Sequence, residues 1–444
     1  MDSFTANVVG LCLINAVAIA ANYRYKRSRR RALKTKTVEP VRLERARQLR
    51  WRFLFVYSLA ACVEWIQGPH LYALYRYKKG ISEENVSHLY ATGFTAAAIA
   101  ALCAGRIMDR LGTTVGCQFY FLLTCGSCCT LMSNRMPILV LGRAFGGTAT
   151  TFLWSAFECW IIQQRQVQGF DETVLPLKRV FGKMTLLSSA VAICMGIASD
   201  ALVRVRGSLL DPFLAAAVCS VVAVASITGL WRHYSDPDGT PAARGTTSEL
   251  GPWELIQDHN VVLLASASAV LEAALYIFVF LWTAAFKSLQ DKAGKVEPLP
   301  LGTIFAGFMS AMMMGSTLAS APWRTFSKQA AKFDMVTILL IASLSLTCAV
   351  LADSEQKLFW AFCVFEACIG AFYPTVSYLK SQAIRGNSRN IVYGMFRLPV
   401  NLLVLTWHLN AVEGVVRRHS AFLVFALFLL QFSLLFRLSV AFAP

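Results

Sequence analysis

The chain has 444 residues, of which 56% are hydrophobic and only 15% are charged, and its mean hydropathy is +0.53. Soluble domains carry about 25% charged residues, so the composition excludes an ordinary water-soluble protein. The formal net charge of +17 does not predict nucleic-acid binding, because basic residues beside membrane spans are first a signal of membrane topology.

Long apolar runs recur along nearly the whole chain and predict a polytopic, all-α membrane protein. We predict thirteen transmembrane helices, each with ends uncertain by a few residues. The predicted spans are 4–22, 51–75, 87–107, 114–132, 137–162, 179–200, 212–231, 260–286, 301–320, 335–352, 357–379, 391–411 and 420–440.

The first predicted span differs from a cleaved signal peptide, because Met1 to Thr5 carry no positive charge. Twelve Lys or Arg residues follow it between Asn22 and Trp51. This distribution predicts an uncleaved helix with its N-terminus outside the cell and the Arg24–Arg50 loop in the cytosol, close to anionic lipid headgroups. The cell membrane is the expected location, with an organelle membrane as the alternative.

The last twelve spans divide into six and six around a segment whose Pro, Gly, Ser and Thr content is typical of a linker. We therefore predict two six-helix bundles plus one extra N-terminal transmembrane helix. The predicted parts are residues 1–50 (helix and basic cytosolic loop), 51–232 (N-terminal bundle), 233–258 (cytosolic linker) and 259–444 (C-terminal bundle).

Two local matches indicate that the bundles arose by duplication. Glu64 and Glu272 each follow an apolar residue and precede a long apolar and aromatic run. The triplets Val-Phe-Gly at 180–182 and Val-Tyr-Gly at 392–394 each open the fifth helix of a bundle. Acids at matching places in two repeats predict a polar site at the repeat interface, a pattern typical of transporters.

Six formal charges fall inside the predicted spans. Each costs about 2.5–3.5 kcal/mol if left unpaired at the bilayer centre, and together they would exceed a typical net stability of about 5–15 kcal/mol. We therefore expect them to face protein or water and to pair with one another. A purely structural role in locking helices is the alternative. The six are Glu64, Arg143, Glu158, Glu272, Glu366 and Arg397.

These charges suggest a division of roles. Arg143 and Arg397 are the candidate anion ligands, because the guanidinium fork offers parallel donors to an oxyanion. Neutral side chains beside the charges, at Gln67, Asn401 and Trp65, are expected to complete substrate binding. The candidate proton carriers are Glu64, Glu272 and Glu366, because a carboxyl group can change protonation state with its surroundings.

Helix-breaking residues lie near these charges. Gly68-Pro69 and Pro399 predict breaks or kinks that free backbone groups to line a cavity. His70 and His408 are expected near helix ends at the membrane interface. The Cys-x-x-Cys-Cys run at 125–129 is expected to pack within a helix, and we predict neither a metal site nor a cofactor.

The segment from Gly105 to Gly112 resembles the loop signature of the major facilitator superfamily. The resemblance implies that Gly105, Asp109, Arg110 and Gly112 form the motif at the cytosolic gate. Thr113 and Thr114 stand where the family usually has two further bases. Arg143 with Gly146-Gly147 looks like the superfamily's arginine motif, and together these features imply a major facilitator fold.

Five further segments in order are similar to the molybdate-anion transporter family. They are Glu64 to Pro69, Ser155 to Trp160, Phe278 to Thr283, Phe365 to Cys368 and Phe396 to Pro399. The resemblance implies uptake of molybdate, a tetrahedral dianion. The chain departs from the family in having Glu64 in place of Asp and Gln163-Gln164 in place of residues similar to His-Glu-His.

The sequence thus predicts a secondary active transporter of a small inorganic anion, by alternating access and proton symport. The alternatives are transport of an organic anion or another small solute on the same fold, and a receptor that has lost transport. An enzyme is not predicted, since no catalytic or nucleotide-binding motif is present. The lipid bilayer and the anion are the expected partners, nucleic acid is not, and protein partners are unknown.

Overall fold

The computed structural model of the protein describes the main chain of most of the sequence. The described residues are 3–31, 40–171, 174–175, 177–232, 234, 259–295, 297–321, 328–383, 389–409 and 415–441. At some positions within these ranges the structure describes the main chain but not the side chain. These positions are 26–31, 109, 178–179, 328, 381–383, 389–398, 415–417 and 440–441.

The described residues form thirteen long helices, and each of them overlaps one predicted span, with the largest differences in bounds at α1 and α2. The first seven are α1 Ser3–Arg31, α2 Pro40–Gln67, α3 Glu83–Leu111, α4 Thr113–Thr130, α5 Met136–Val167, α6 Leu177–Arg206 and α7 Asp211–Leu230. The other six are α8 His259–Lys292, α9 Leu301–Ala319, α10 Lys328–Val350, α11 Glu355–Ala383, α12 Arg389–Leu409 and α13 Val415–Ala441.

Ten helices of the described part are long and apolar enough to cross a membrane on their own composition. The three that fall short are α2, α4 and α12. Basic residues extend the start of α2, and Thr, Ser, Gly and Gln dilute the apolar character of α4. The described apolar stretch of α12 is limited to Pro399–Leu409.

The helices are grouped in two compact units. The N-terminal unit comprises residues 34–244, and the C-terminal unit comprises residues 1–33 together with 245–444. The first helix therefore packs with the second six-helix bundle rather than with the bundle that follows it in the chain.

The same packing scheme occurs in each unit. In the N-terminal unit α5 packs against α3 and α4, α7 packs against α2 and α4, and α2 packs against α6. In the C-terminal unit α11 packs against α9 and α10, α13 packs against α8 and α10, and α8 packs against α12. Each helix thus has the neighbours of the helix six places earlier, as expected for a duplicated bundle.

Small residues bring equivalent helices close together in both units. In the N-terminal unit, a Cβ added to Gly147 on α5 would overlap the backbone of Gly93 on α3. In the C-terminal unit, a Cβ on Gly370 of α11 would overlap the backbone of Met312 on α9. Close backbone approach at small residues is how helices associate in lipid, where no hydrophobic force drives them together.

The helix that carries Glu64 is interrupted at the predicted place. α2 ends at Gln67, a 3₁₀ turn covers Gly68–His70, and helical turns continue through Leu71–Ala73 and a π-type turn at Leu74–Lys78. Proline removes a backbone donor and clashes with the preceding turn, which accounts for this break. At Pro399 the helix is not broken, because α12 continues through this residue, and the alternative of a kink stays a prediction.

Polar and aromatic contacts attach α1 to the C-terminal unit. Asn15, which is buried, donates a hydrogen bond from Nδ2 to the backbone oxygen of Ser310 on α9 at 2.8 Å. Near the start of the helix, Asn7 Nδ2 donates to Gln356 Oε1 at 2.8 Å, and the ring of Phe4 lies 5.5 Å from that of Phe359. Interhelical amide hydrogen bonds of this kind stabilise membrane helix pairs.

Candidate functional site

Two of the predicted charges lie close together in the N-terminal unit. Glu64 on α2 and Arg143 on α5 are half-buried, and the guanidinium acts electrostatically on the carboxyl group. Within the described part of the chain, however, neither forms an ion pair. The single hydroxyl proton of Tyr120 on α4 is instead shared between Glu64 Oε2 at 3.4 Å and the backbone oxygen of Ala60 at 3.1 Å.

The Arg143 side chain is held by α3. Its guanidinium carbon lies 5.0 Å from the centre of the Tyr90 ring, a cation–π distance. Its Nε atom donates to the backbone oxygen of Leu89 at 3.4 Å. The absence of a side chain at Gly93 leaves the space that the guanidinium occupies. A ring face and a carbonyl group stabilise the cation without neutralising it, so its charge is available to an anion.

Trp65 and Gln67 are engaged within the same unit. Trp65 donates a hydrogen bond from Nε1 to Ser188 Oγ on α6 at 3.0 Å. Gln67 donates from Nε2 to the backbone oxygen of Val63 at 2.9 Å, and its Oε1 accepts a weak bond from Cys128 Sγ at 3.8 Å. Both side chains are therefore held in place, and a ligand that used the Gln67 amide would have to replace these bonds.

In the C-terminal unit the predicted residues lie on three helices. Glu366 on α11 is buried, with 2% of its surface exposed, and its Oε2 has no hydrogen-bond partner among the described residues. Glu272 on α8 is half-buried. Asn401 is half-buried on α12, four residues after Arg397, and this spacing puts the two on one face of the helix. The side chain of Arg397 lies outside the described residues.

The gate motif forms the tight junction between α3 and α4. Gly112 is the single residue between them, with φ of 92°, a backbone conformation that favours glycine. Gly105 and Arg110 lie in the last turns of α3, where Arg110 is exposed. The Asp109 side chain lies outside the described residues, so its role in the motif at the cytosolic gate stays a prediction.

Thr113 and Gln163 are two residues at which the chain departs from the family pattern, and they contact each other beside this junction. Thr113 Oγ1, at the start of α4, donates a hydrogen bond to Gln163 Oε1 near the end of α5 at 2.6 Å. Next to it, Trp160 donates from Nε1 to Thr114 Oγ1 at 3.0 Å. Neutral hydrogen bonds thus link α4 to α5 at this end of the unit.

The surroundings of the charged and histidine residues differ in part from the predicted ones. The described acids and bases of the predicted set do not all pair with one another, because Tyr120, Tyr90 and backbone groups take that place around Glu64 and Arg143. His70 lies in the 3₁₀ turn that follows α2 and His408 lies in the last turn of α12, near helix ends as predicted, and both are buried within their units, with 1% and 0% of their surfaces exposed. His70 Nε2 lies 3.1 Å from Ser199 Oγ on α6.

Comparisons with known proteins agree with the helix packing. The model of the major facilitator family described as sugar transporters with 12 transmembrane segments matches residues 9–359. The molybdate-anion transporter of Danio rerio is 28% identical over 382 residues, which cover 79% of this chain and 76% of that protein. The molybdate-anion transporter of Xenopus laevis is 27% identical over 363 residues, covering 80% and 78%. These relatives carry the names of transporters, not of enzymes.

Solved structures show the same fold at low sequence identity. A variant of the peptide transporter POT in complex with sulfate has a TM-score of 0.69 and 11% identity, covering 88% of this chain and 94% of that one. The nucleoside transporter NupG has a TM-score of 0.64 and 13% identity, covering 89% and 100%. The chain therefore belongs to the major facilitator superfamily, in the family of 12-span transporters that the matching model describes.

Proposed function

We propose that this transporter carries a small oxyanion, with molybdate as the first candidate, by alternating access and in symport with protons. The observation that carries the proposal is the environment of Arg143. Its guanidinium is half-buried and is held by the Tyr90 ring and the Leu89 carbonyl instead of by a carboxylate. Such a group retains both its charge and its capacity for paired hydrogen bonds to an oxyanion.

The electrostatic interaction between Arg143 and Glu64 supplies a physical route for proton coupling. An anion bound at Arg143 reduces the positive field at Glu64, so the binding of the anion and of a proton to Glu64 would reinforce each other. Glu366 is the second candidate proton carrier, since a buried carboxyl group with an unpartnered oxygen is more easily accommodated when it holds a proton.

The remaining predicted residues complete the proposal. Arg397, Asn401, Gln67 and Trp65 would contribute to anion binding, and Glu272 would take part in proton movement. Asp109 with Gly105, Arg110 and Gly112 would form the cytosolic gate. We further propose the cell membrane as the location, with the N-terminus outside, the Arg24–Arg50 loop in the cytosol and the bundle boundaries predicted above.

Uptake of labelled molybdate into proteoliposomes tests the anion site. Replacing one partner of a buried charged hydrogen bond costs about 2–5 kcal/mol, so Arg143→Gln should reduce uptake by at least about tenfold. Arg135→Gln is the matched control, because Arg135 is an exposed base at the start of the same helix. Equal uptake by the Arg143 and Arg135 variants would place the anion site elsewhere.

Proton coupling is tested by imposing a pH gradient on the same vesicles. Glu64→Gln and Glu272→Gln should each weaken the dependence of uptake on external pH, because glutamine cannot carry a proton. An unchanged pH dependence in both variants would contradict the symport mechanism while leaving anion transport intact.

An organic solute is the second candidate substrate, because the matched family is described as sugar transporters. Competition between unlabelled solutes and labelled molybdate distinguishes the two classes of substrate. Sulfate and other oxyanions should inhibit uptake of labelled molybdate, whereas sugars and organic acids should not. Inhibition by sugars alone would favour the second candidate, and absence of flux with every solute would favour a receptor without transport activity.

A further inference from the structure

A second group of basic side chains lies in the C-terminal unit, away from the predicted transport residues. It surrounds a small cavity at the end where α8 and α10 finish and α11 and α13 begin. The cavity is lined by Ala285, Ser288, Leu289, Lys292, Ala349, Ala352, Leu358, Arg418, His419 and Phe422. We name it the α8–α13 cavity.

Three of these lining residues are bases, and the others are apolar or small. Lys292 is the last residue of α8, while Arg418 and His419 lie in the first turns of α13. Lys292 and Arg418 both act electrostatically on His419, which places the three groups in one local field. A cavity lined by charge of one sign and by low-dielectric walls concentrates ions of the opposite sign.

Three of the described acids at this end of the unit are engaged with other bases. Asp291 pairs with Lys287 at 3.0 Å, Glu355 pairs with Lys295 at 2.9 Å, and Asp353 pairs with Lys357 at 2.8 Å. None of these acids lines the α8–α13 cavity. Among the described residues, Lys292 forms no ion pair, so its ammonium group is available to a ligand.

We infer that the α8–α13 cavity binds a compact oxyanion, either free in solution or as the phosphate of a lipid headgroup. The ammonium and guanidinium groups provide donors of the kind that bind tetrahedral oxyanions. A role in uptake, as a site that collects the anion before it enters the transport pathway, rests on the proposed function. The binding of an oxyanion to the α8–α13 cavity does not depend on the proposed function.

Direct binding to the purified full-length chain tests the site independently of transport. Labelled sulfate is titrated into the Arg143→Gln variant in nanodiscs of neutral lipid, so that the contribution of the proposed transport site is reduced. Adding Lys292→Gln and Arg418→Gln should weaken the remaining sulfate binding by at least about tenfold. Adding Lys357→Gln instead should change nothing, because Lys357 is exposed and already paired with Asp353.

Two further measurements distinguish loss of charge from loss of fold and identify the source of the oxyanion. Lys292→Arg keeps the charge and should keep the binding, which separates loss of charge from loss of fold. Nanodiscs that contain phosphatidylglycerol identify the source of the oxyanion, since displacement of sulfate by this lipid indicates a headgroup and unchanged binding indicates a free anion. Equal sulfate binding with and without Lys292 and Arg418 would overturn the inference.

Transport kinetics then test the role in uptake. In proteoliposomes, Lys292→Gln with Arg418→Gln should raise the half-saturation concentration for molybdate by about tenfold and leave the maximal rate unchanged. An unchanged half-saturation concentration would overturn this role. Absence of uptake by the unmodified protein would instead refute the proposed function, and the sulfate titration would still decide whether the cavity binds anions.

Discussion

The guanidinium of Arg143 occupies the space that a side chain at Gly93 would fill. A Cβ added to Gly93 would lie 2.8 Å from the Nη2 atom of Arg143. The same glycine also lets α3 and α5 approach closely, since its backbone faces Gly147. One position on α3 therefore controls both the packing of the two helices and the placement of the cation that we propose as the anion ligand.

Gly93→Ala should displace the Arg143 guanidinium, because the far end of a flexible side chain moves more easily than the backbone. We expect uptake to fall several-fold while the protein remains folded. Gly229→Ala on α7 is the control, since a Cβ there has no neighbour within 4 Å. Uptake and thermal stability are measured for both variants, and normal uptake by the Gly93 variant would show that the position of Arg143 is not critical.

Gly147→Ala should lower the stability of the protein, in contrast to Gly93→Ala, which should lower uptake. Its added Cβ would overlap the backbone of Gly93, which cannot move without separating α3 from α5. Overpacking of this kind costs about 1–3 kcal/mol, so thermal unfolding in detergent should occur at a lower temperature. Gly182→Ala has open space and should be neutral or slightly stabilising. Equal unfolding temperatures would contradict the close approach.

Asn15→Leu should loosen α1 from the C-terminal unit. The substitution removes the hydrogen bond to the Ser310 carbonyl, and such interhelical bonds contribute about 0.6–1.7 kcal/mol in membrane proteins. We expect lower thermal stability and faster proteolysis after the first helix. Leu13→Ala, at a position with 63% of its surface exposed, serves as the control. An Asn15 variant as stable as the unmodified chain would argue against a structural role for this contact.

Thr113→Val tests the neutral link beside the gate motif. It keeps the shape of the side chain and removes the 2.6 Å hydrogen bond to Gln163, which contributes about 0.5–1.5 kcal/mol. Loss of a contact at the predicted gate should change the maximal rate of uptake by a few-fold. The half-saturation concentration should change less. Thr185→Val is the control, because Thr185 bonds only to its own helix at Phe181. A pure affinity change would contradict a gating role.

The placement of individual contacts was less predictable than the helices themselves. The Gly68-Pro69 break was confirmed because the proline acts on its own helix, whereas Pro399 lies inside a continuous helix. His70 is near the end of an apolar run in sequence, yet Ser199 on α6 provides its partner. Tyr90, Tyr120 and Gly93 were not among the predicted site residues, since nothing in their local sequence distinguishes them from ordinary packing residues.

The sequence by itself determined the thirteen helices, the two bundles and the candidate charges, because span length and the cost of charge in lipid depend on short stretches of chain. Only the tertiary structure decided that α1 packs with the second bundle, and that Tyr120 and Tyr90 provide the direct side-chain contacts of Glu64 and Arg143. Helix formation is local, whereas a side chain's partners depend on which faces of distant helices come together.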